Sequence, residues 1–280
     1  MTRATGLRRA TEAHIGSAIN YRLAQPGLLP ELQATGLTTT VVQPIARILD
    51  QGSLPACVGC TAAGRAEALI DSPEDVAVRG YPRFSWVRLW TDARRRDGEL
   101  HEPALGTWFS SAIESMVKRG LDPEESGEED RLEEMTQPDD LDSELAAFDE
   151  RQTSAEHWRL STGDLDALDD ALARGLAVGL GIGVRDAYFS YFGAARSPSE
   201  VDQILGTSYL GGDTNGHEQG VFAVRRVKGA RVYGLQNSWG LTGGCHLPDG
   251  TWQLGCCWVD EMVMRSAWDV DAIRVTRRNP

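Results

Sequence analysis

A cysteine at the start of an alanine-rich segment is the feature that most constrains this chain. Residues 57–70 are rich in Ala and predict a helix. Gly52, Ser53 and Pro55, just before this segment, are typical of a turn that leads into a helix. Cys57 would then lie at the helix N-terminus, where N–H groups and the helix dipole favour a thiolate. The pattern predicts a nucleophilic cysteine; the alternative is a buried structural thiol.

Gln51 precedes Cys57 by six residues, on the predicted turn. Its side-chain amide can point back at the cysteine. Together with the backbone N–H of Cys57 it would supply two hydrogen-bond donors to a developing oxyanion, an arrangement worth roughly 10²–10³ in rate per donor. We therefore predict an oxyanion hole at this turn.

A predicted β-hairpin joins His217 to Asn237. Residues 221–227 and 231–236 have strand character, and a short turn at 228–230 separates them. A hairpin brings its two ends side by side, so Asn237 can accept the ring N–H of His217 and orient the imidazole. Trp239 would cover that hydrogen bond. The other four histidines, at positions 14, 101, 157 and 246, lack this relation to an Asn-Ser-Trp-Gly block.

The order Gln51, Cys57, His217 and an Asn-Ser-Trp-Gly block at 237–240 resembles the papain-like cysteine peptidases of the C1 family, of a bacterial or phage type. The resemblance covers about residues 45–275. It implies an α+β, two-lobed fold: a helical half with the nucleophile helix, an antiparallel β-barrel-like half, and an active-site cleft between them. It also implies a catalytic Cys57–His217–Asn237 triad with Gln51 in the oxyanion hole.

Further site residues follow from the same resemblance. The stretch 102–108 looks like the glycine segment that runs beside the substrate backbone in this family. A helix would follow it at 109–118. The expected substrate-binding residues are Gly106, Thr107, Asn215, Gly216 and Trp239. No metal or organic cofactor is implied.

Several positions depart from the family pattern. Val58 replaces the aromatic residue that usually follows the nucleophile, and Leu54 replaces a frequent disulfide cysteine. Glu218 follows His217, where small or apolar residues are usual. An acid beside the base is expected to raise the pKa of the imidazole or to bind it.

Cys57 and Cys60 also form a Cys-x-x-Cys motif, which leaves two alternatives open. One is a thioredoxin-like redox pair, which would need a βαβ unit around the motif. The other is a zinc site that borrows from Cys245, His246, Cys256 and Cys257. The odd count of five cysteines is a poor disulfide framework and favours a reducing compartment.

The net charge of −13 is concentrated in one place. Residues 122–150 hold fourteen acids and one arginine, so this predicted acidic insert accounts for the whole excess. A solvated loop is one interpretation, and a docking segment for a protein partner is another. The acidic surface argues against nucleic acid as a partner.

We expect an N-terminal extension at 1–40 that straps over the domain or docks on a partner, and a papain-like domain at 41–280. The helical half would span about 50–160 and the β half about 165–280. No run approaches ~18 apolar residues and no secretory signal is evident, so we expect a cytoplasmic or particle-associated protein without a membrane span.

Three functions remain open from the sequence. The first is a cysteine peptidase that cleaves peptides or proteins through an acyl-enzyme. The second is a papain-fold component of a larger assembly, such as a phage particle, with weak, latent or no protease activity. The third is an acyltransferase or transglutaminase-type use of the same triad.

Overall fold

The first half contains four helices, two of which pack against the predicted nucleophile helix. A computed structural model describes residues 7, 19–20, 40–98, 106–124, 153–194, 196–213 and 215–277. The helices are α1 (Cys57–Leu69), α2 (Pro73–Arg79), α3 (Trp86–Arg96) and α4 (Phe109–Arg119). The predicted helix at 57–70 is therefore confirmed, with Cys57 as its first residue. The predicted helix at 109–118 is confirmed as α4.

Small side chains explain why α1 can lie in the middle of the protein. Its residues are buried from Cys57 to Ala68. Gly59 allows α3 to approach closely, because a Cβ there would collide with the backbone of Trp86 and the side chain of Trp90. The Ser85 hydroxyl caps α3 by accepting the Arg88 N–H at 3.1 Å. Trp86, Leu89, Trp90 and Ala93 are buried on one face of α3, as their spacing predicts.

A mixed, mainly antiparallel sheet forms the second half. Its order is β1-β3-β11-β4-β6-β7-β10-β5, with β2 paired to β6. Its strands are β1 (Ile19–Asn20), β2 (Val41–Val42), β3 (Thr153–Arg159), β4 (Ala177–Gly183), β5 (Ile204–Leu205), β6 (Gly216–Val227), β7 (Ala230–Gln236), β10 (Cys256–Asp260) and β11 (Asp269–Arg277). A separate pair comprises β8 (Cys245–His246) and β9 (Trp252–Gln253). Helices α5 (Leu165–Ala173), α6 (Asp186–Gly193) and α7 (Glu261–Arg265) lie between strands in the sequence.

The predicted hairpin is confirmed as β6 and β7. Its turn places Lys228 at φ 51° and Gly229 at φ 88°. Two successive left-handed residues give the turn twist that suits paired antiparallel strands. Strand β6 begins at Gly216, five residues before the predicted start, so His217 lies within the strand rather than before it.

The sequence missed the strand β3. It falls in the region predicted as the helical half, but it pairs with β11 along its whole length. The first residues of the predicted acidic insert also belong to the fold: Pro123 bridges to Phe84, and Glu124 pairs with Arg47 at 2.8 Å. Residues 125–150 and most of the predicted extension 1–40 lie outside the described residues.

Helix α1 packs directly on the sheet, because the Thr61 hydroxyl donates to the carbonyl oxygen of Glu218 in β6 at 3.1 Å. This contact fixes the start of α1 beside the part of β6 that carries His217. None of the described helices is both long and apolar enough to cross a membrane.

Candidate active site

Cys57 is fully buried at the first turn of α1. Ala56 is the N-cap residue and provides no side-chain cap, so the first N–H groups of the helix are not taken by a capping side chain. The carboxyl group of Glu218 lies close enough to Cys57 for their charges to interact. The fold therefore places the predicted nucleophile next to the beginning of β6.

The predicted pair of His217 and Asn237 is present. His217 Nε2 lies 2.7 Å from Asn237 Oδ1. The same oxygen accepts the backbone N–H of Ser238 at 2.8 Å, so this atom must be the amide oxygen. Because an amide oxygen only accepts, Nε2 carries the ring proton, and Nδ1 of the neutral ring has the basic lone pair. Nδ1 makes no hydrogen bond to any part of the chain that the structure describes.

Trp239 covers the imidazole, as predicted. The two rings stack with centroids 4.6 Å apart and an interplanar angle of 30°. Phe189 stacks with Trp239 at 5.1 Å, and Tyr188 and Phe192 pack edge-on against it. Trp239 is 1% exposed. The structure therefore places it as a lid over the histidine within an aromatic cluster.

Burial lowers the pKa of His217 to about 4, although the hydrogen bond to Asn237 opposes this shift. The imidazole is therefore neutral at pH 7 and able to accept a proton. The expectation that Glu218 raises this pKa or binds the ring is wrong. Adjacent residues of a strand point to opposite faces of the sheet, so the Glu218 carboxyl lies on the other side of β6.

Gln51 is buried and held by two neighbours. Ser238 Oγ donates to Gln51 Oε1 at 2.6 Å, and Gln51 Nε2 donates to the Leu54 carbonyl at 2.6 Å. The Leu54 bond uses one of the two amide hydrogens. Gln51 N–H also donates to the Ser238 carbonyl at 2.9 Å. The turn before α1 is thereby tied to the Asn-Ser-Trp-Gly block.

The four other predicted substrate-binding residues lie on two sides of Leu7. Leu7 N–H donates to the Gly216 carbonyl at 3.0 Å, and Leu7 forms a parallel bridge with Thr107. Thr107 follows Gly106, and its hydroxyl donates to Asp97. Asn215 has φ 55°, a left-handed conformation that asparagine tolerates better than most residues. Leu7 therefore already lies between the two predicted walls of the groove.

Three acids on the opposite face of β6 were not predicted as a group. Glu218 in β6 and Asp269 in β11 both pair with Gly181 of β4, which lies between them. Asp271 lies two residues beyond Asp269 in β11, on the same face. All three side chains are buried. The alternating acids at 269 and 271 were visible in the sequence, but only the sheet register brings them to Glu218.

The Cys-x-x-Cys alternatives gain no geometric support. Cys57 and Cys60 lie on one helix whose preceding strand, β2, pairs antiparallel with β6, so the expected βαβ unit is not formed around the motif. All five cysteines are buried thiols. Among the described residues, no group of three or more His, Cys, Asp or Glu side chains is arranged to hold a metal ion.

The helical half, the sheet half and the site between them define a papain-like α+β fold with two lobes. Three solved structures of this fold resemble the chain. They are the cysteine protease xylellain from Xylella fastidiosa (17% identity, TM-score 0.57, 96% of this chain and 91% of that chain), the proform of the ragweed pollen cysteine protease Amb a 11 (14%, 0.55, 95% and 78%) and procathepsin L 3 of Tenebrio molitor larval midgut (20%, 0.53, 84% and 69%).

These likenesses, at such low identity, show the fold alone. No protein-family model matches the sequence, and no curated protein matches it. The fold inferred from the sequence is therefore confirmed, whereas the activity is a matter for proposal.

Proposed function

We propose that this protein is a cysteine peptidase that hydrolyses amide bonds through a thioester acyl-enzyme. The observation that carries the proposal is the hydrogen bond between His217 and Asn237, covered by Trp239, on the strand that packs against the helix beginning with Cys57. Nucleophilic catalysis needs a thiol and an oriented imidazole on neighbouring elements, and this arrangement supports the proposal.

The first half of the reaction transfers the acyl group to the enzyme. His217 Nδ1 takes the proton from Cys57 Sγ, and the sulfur attacks the carbonyl carbon of the substrate amide. Nε2 stays bound to Asn237, which stabilises the imidazolium that forms. The C–N bond then breaks, the leaving amine takes the proton from Nδ1, and a thioester remains on Cys57.

The second half hydrolyses the thioester. His217 Nδ1 takes a proton from water, the resulting hydroxide attacks the thioester carbon, and the C–S bond breaks. The proton returns to the sulfur as the carboxylic acid leaves. Gln51 and the backbone N–H of Cys57 would donate to the oxyanion in both halves. Gly106, Thr107, Asn215 and Gly216 would line the groove that holds the substrate backbone.

A test of this proposal compares matched cysteine variants on a mixture of internally quenched peptides. Wild type and Cys60→Ala should cleave the same peptides, whereas Cys57→Ala should have no activity above background. The two cysteines lie one turn apart on the same buried helix, so Cys60→Ala controls for the loss of a buried thiol. Equal turnover by Cys57→Ala and wild type would overturn the proposal. Absence of turnover in folded wild type would do the same and would favour a binding role in an assembly.

A further inference from the structure

The face of β6 opposite the imidazole carries a carboxylate without a partner. Glu218 is fully buried, and neither of its side-chain oxygens has a hydrogen-bond partner among the described residues. The Oδ1 atom of Asp269 is also buried and also has no hydrogen-bond partner among these residues. Burying a polar atom without a hydrogen-bond partner is unfavourable, so these three carboxyl oxygens in one place need an explanation.

The basic side chains near the three acids do not pair with all of them in the described part of the chain. Arg159 donates to Asp271 at 2.9 Å and lies 3.6 Å from Asp269 Oδ2. His157 Nε2 lies 2.7 Å from Asp271 Oδ1. Asp271 therefore contacts both Arg159 and His157. Asp269 has the 3.6 Å contact with Arg159 and a backbone interaction with Gly181, and Glu218 has no contact with a basic side chain within the described part of the chain. The cluster lacks a positive charge on the side of Glu218.

Glycines leave room for the two carboxyl groups. A Cβ at Gly181 would collide with Asp269 Oδ1, and a Cβ at Gly179 would collide with Glu218 Oε1. The side chains therefore lean over the strand that separates them, where the Cα atoms of β6 and β11 are about 10 Å apart. This spacing lets both carboxyl groups face one cationic group from opposite sides.

Leu7 connects the buried acids with the candidate groove. The same Cβ at Gly181 would also collide with Leu7 Cδ2. Leu7 also contacts Gly216 and Thr107, so its side chain lies between the candidate groove and Asp269. Thr61, one turn after Cys57 on α1, donates its hydroxyl to the Glu218 carbonyl at 3.1 Å, which places the acids near the helix of the proposed nucleophile. A peptide bound in the groove would therefore point one of its side chains at Glu218 and Asp269. This side chain would lie close to the bond that is cleaved.

We propose that Glu218 and Asp269 form a specificity pocket for a basic side chain of the substrate, close to the scissile bond. This inference rests on the proposed peptidase function and names its substrate class. Arginine fits best, because its planar guanidinium has five N–H donors and can bind carboxylates on two sides. The bound cation supplies the charge that the cluster lacks, and the acids become paired.

The test compares arginine with citrulline, which has nearly the same shape and no charge. Internally quenched peptides carry one or the other at each position flanking the cleavage site in turn. At one position kcat/KM should be at least tenfold higher for arginine. Equal rates at every position, with turnover present, would overturn the pocket and leave the peptidase proposal standing. No turnover of any peptide would overturn both.

Variants then assign the preference to the two acids. Glu218→Gln and Asp269→Asn should each reduce the arginine-to-citrulline ratio at that position. Glu156→Gln is the matched control, because this carboxylate is exposed on β3 and pairs with Arg274 at the surface. Glu156→Gln should keep the arginine-to-citrulline ratio of the wild type. A ratio unchanged in both pocket variants would contradict the assignment. The wild-type comparison tests the pocket even if a variant does not fold.

The ratio should also depend on pH. Arginine is charged and citrulline neutral throughout the working range, so titration of the catalytic groups cancels in the ratio. Burial raises the pKa of Asp269 to about 7 and that of Glu218 well above its usual value. The titratable and charged groups that face them are Asp271, Arg159, His157 and Cys57. The ratio should rise between pH 5 and pH 8, and a flat profile would contradict the pocket.

Discussion

The two faces of strand β6 differ sharply although their residues alternate along one segment. On one face His217 is bonded to Asn237 and covered by aromatic rings. On the other, Glu218 is buried with no partner for its carboxyl group within the described residues. The first face orients the ring through Nε2 and leaves Nδ1 without a partner among the described residues, as the proposed proton acceptor needs. The second lacks one contact, as a binding pocket does before its ligand arrives.

The faces also respond to pH in opposite directions. Burial holds the pKa of His217 at about 4, below that of an unfolded histidine, so its contribution to stability is lost as the pH falls from about 6.5 toward 4. Burial raises the pKa of Asp269 to about 7, so the folded protein keeps a proton that the unfolded chain releases. That contribution is lost as the pH rises from about 4 toward 7.

The largest expected effect is on the histidine face. His217→Ala removes the proton acceptor and should lower kcat by about 10²–10⁴-fold. His246→Ala is the matched control, since His246 bonds to Asp202 at 3.0 Å away from the site. Steady-state kinetics on one peptide substrate make the comparison. Equal losses in the two variants would contradict the special role of His217.

Gln51→Ala should lower kcat by about 10²–10³-fold, with a smaller change in KM, because an oxyanion donor acts mainly in the transition state. Gln203→Ala, which removes a glutamine bonded to Tyr209 at 2.6 Å, should leave kcat unchanged. A change in KM alone for Gln51→Ala would show that this side chain binds substrate or holds the turn instead.

Features that depend on residues close together in the sequence could be predicted, whereas features that depend on residues far apart could not. Cys57, Gln51 and the hairpin from His217 to Asn237 are each specified by nearby residues, and the fold follows their order along the chain. The acids could not be grouped in advance, because Glu218, Gly181 and Asp269 meet only through the register of three strands distant in sequence. The position of Leu7 depends likewise on contacts with residues about 100 and 200 positions away.

On the acidic face, Glu218→Gln should stabilise the folded protein at pH 8, since burial raises the pKa of this carboxyl and a neutral amide removes the charge that burial penalises. The gain should shrink as the pH is lowered to 5, where the wild-type carboxyl is protonated. Thermal unfolding measures it, at about 2–4 °C per kcal/mol for a protein near this size. Glu156→Gln should show no such gain. A lower Tm for Glu218→Gln at pH 8 would mean that the carboxylate has a partner.

The smallest expected effect concerns Leu7 at the pocket entrance. Leu7→Lys would place a cation against the acids and keep this side chain over them, whereas Leu7→Asp would place a like charge there. The first should slow substrate cleavage and the second accelerate it, each by about fivefold or less, the size of a partly exposed charge contact. Both variants lack the leucine side chain, so the ratio of their kcat/KM values reports the effect of the charge alone. Equal values would contradict an acidic entrance.

The most direct test of the central claim is modification of Cys57 by an epoxysuccinyl thiol-protease inhibitor, mapped by mass spectrometry in wild type and His217→Ala. Our account predicts modification at Cys57 but not at Cys60 in wild type, and loss of that modification in the variant. Folded wild-type protein that leaves Cys57 unmodified, or equal modification with and without His217, would contradict an activated cysteine–histidine pair.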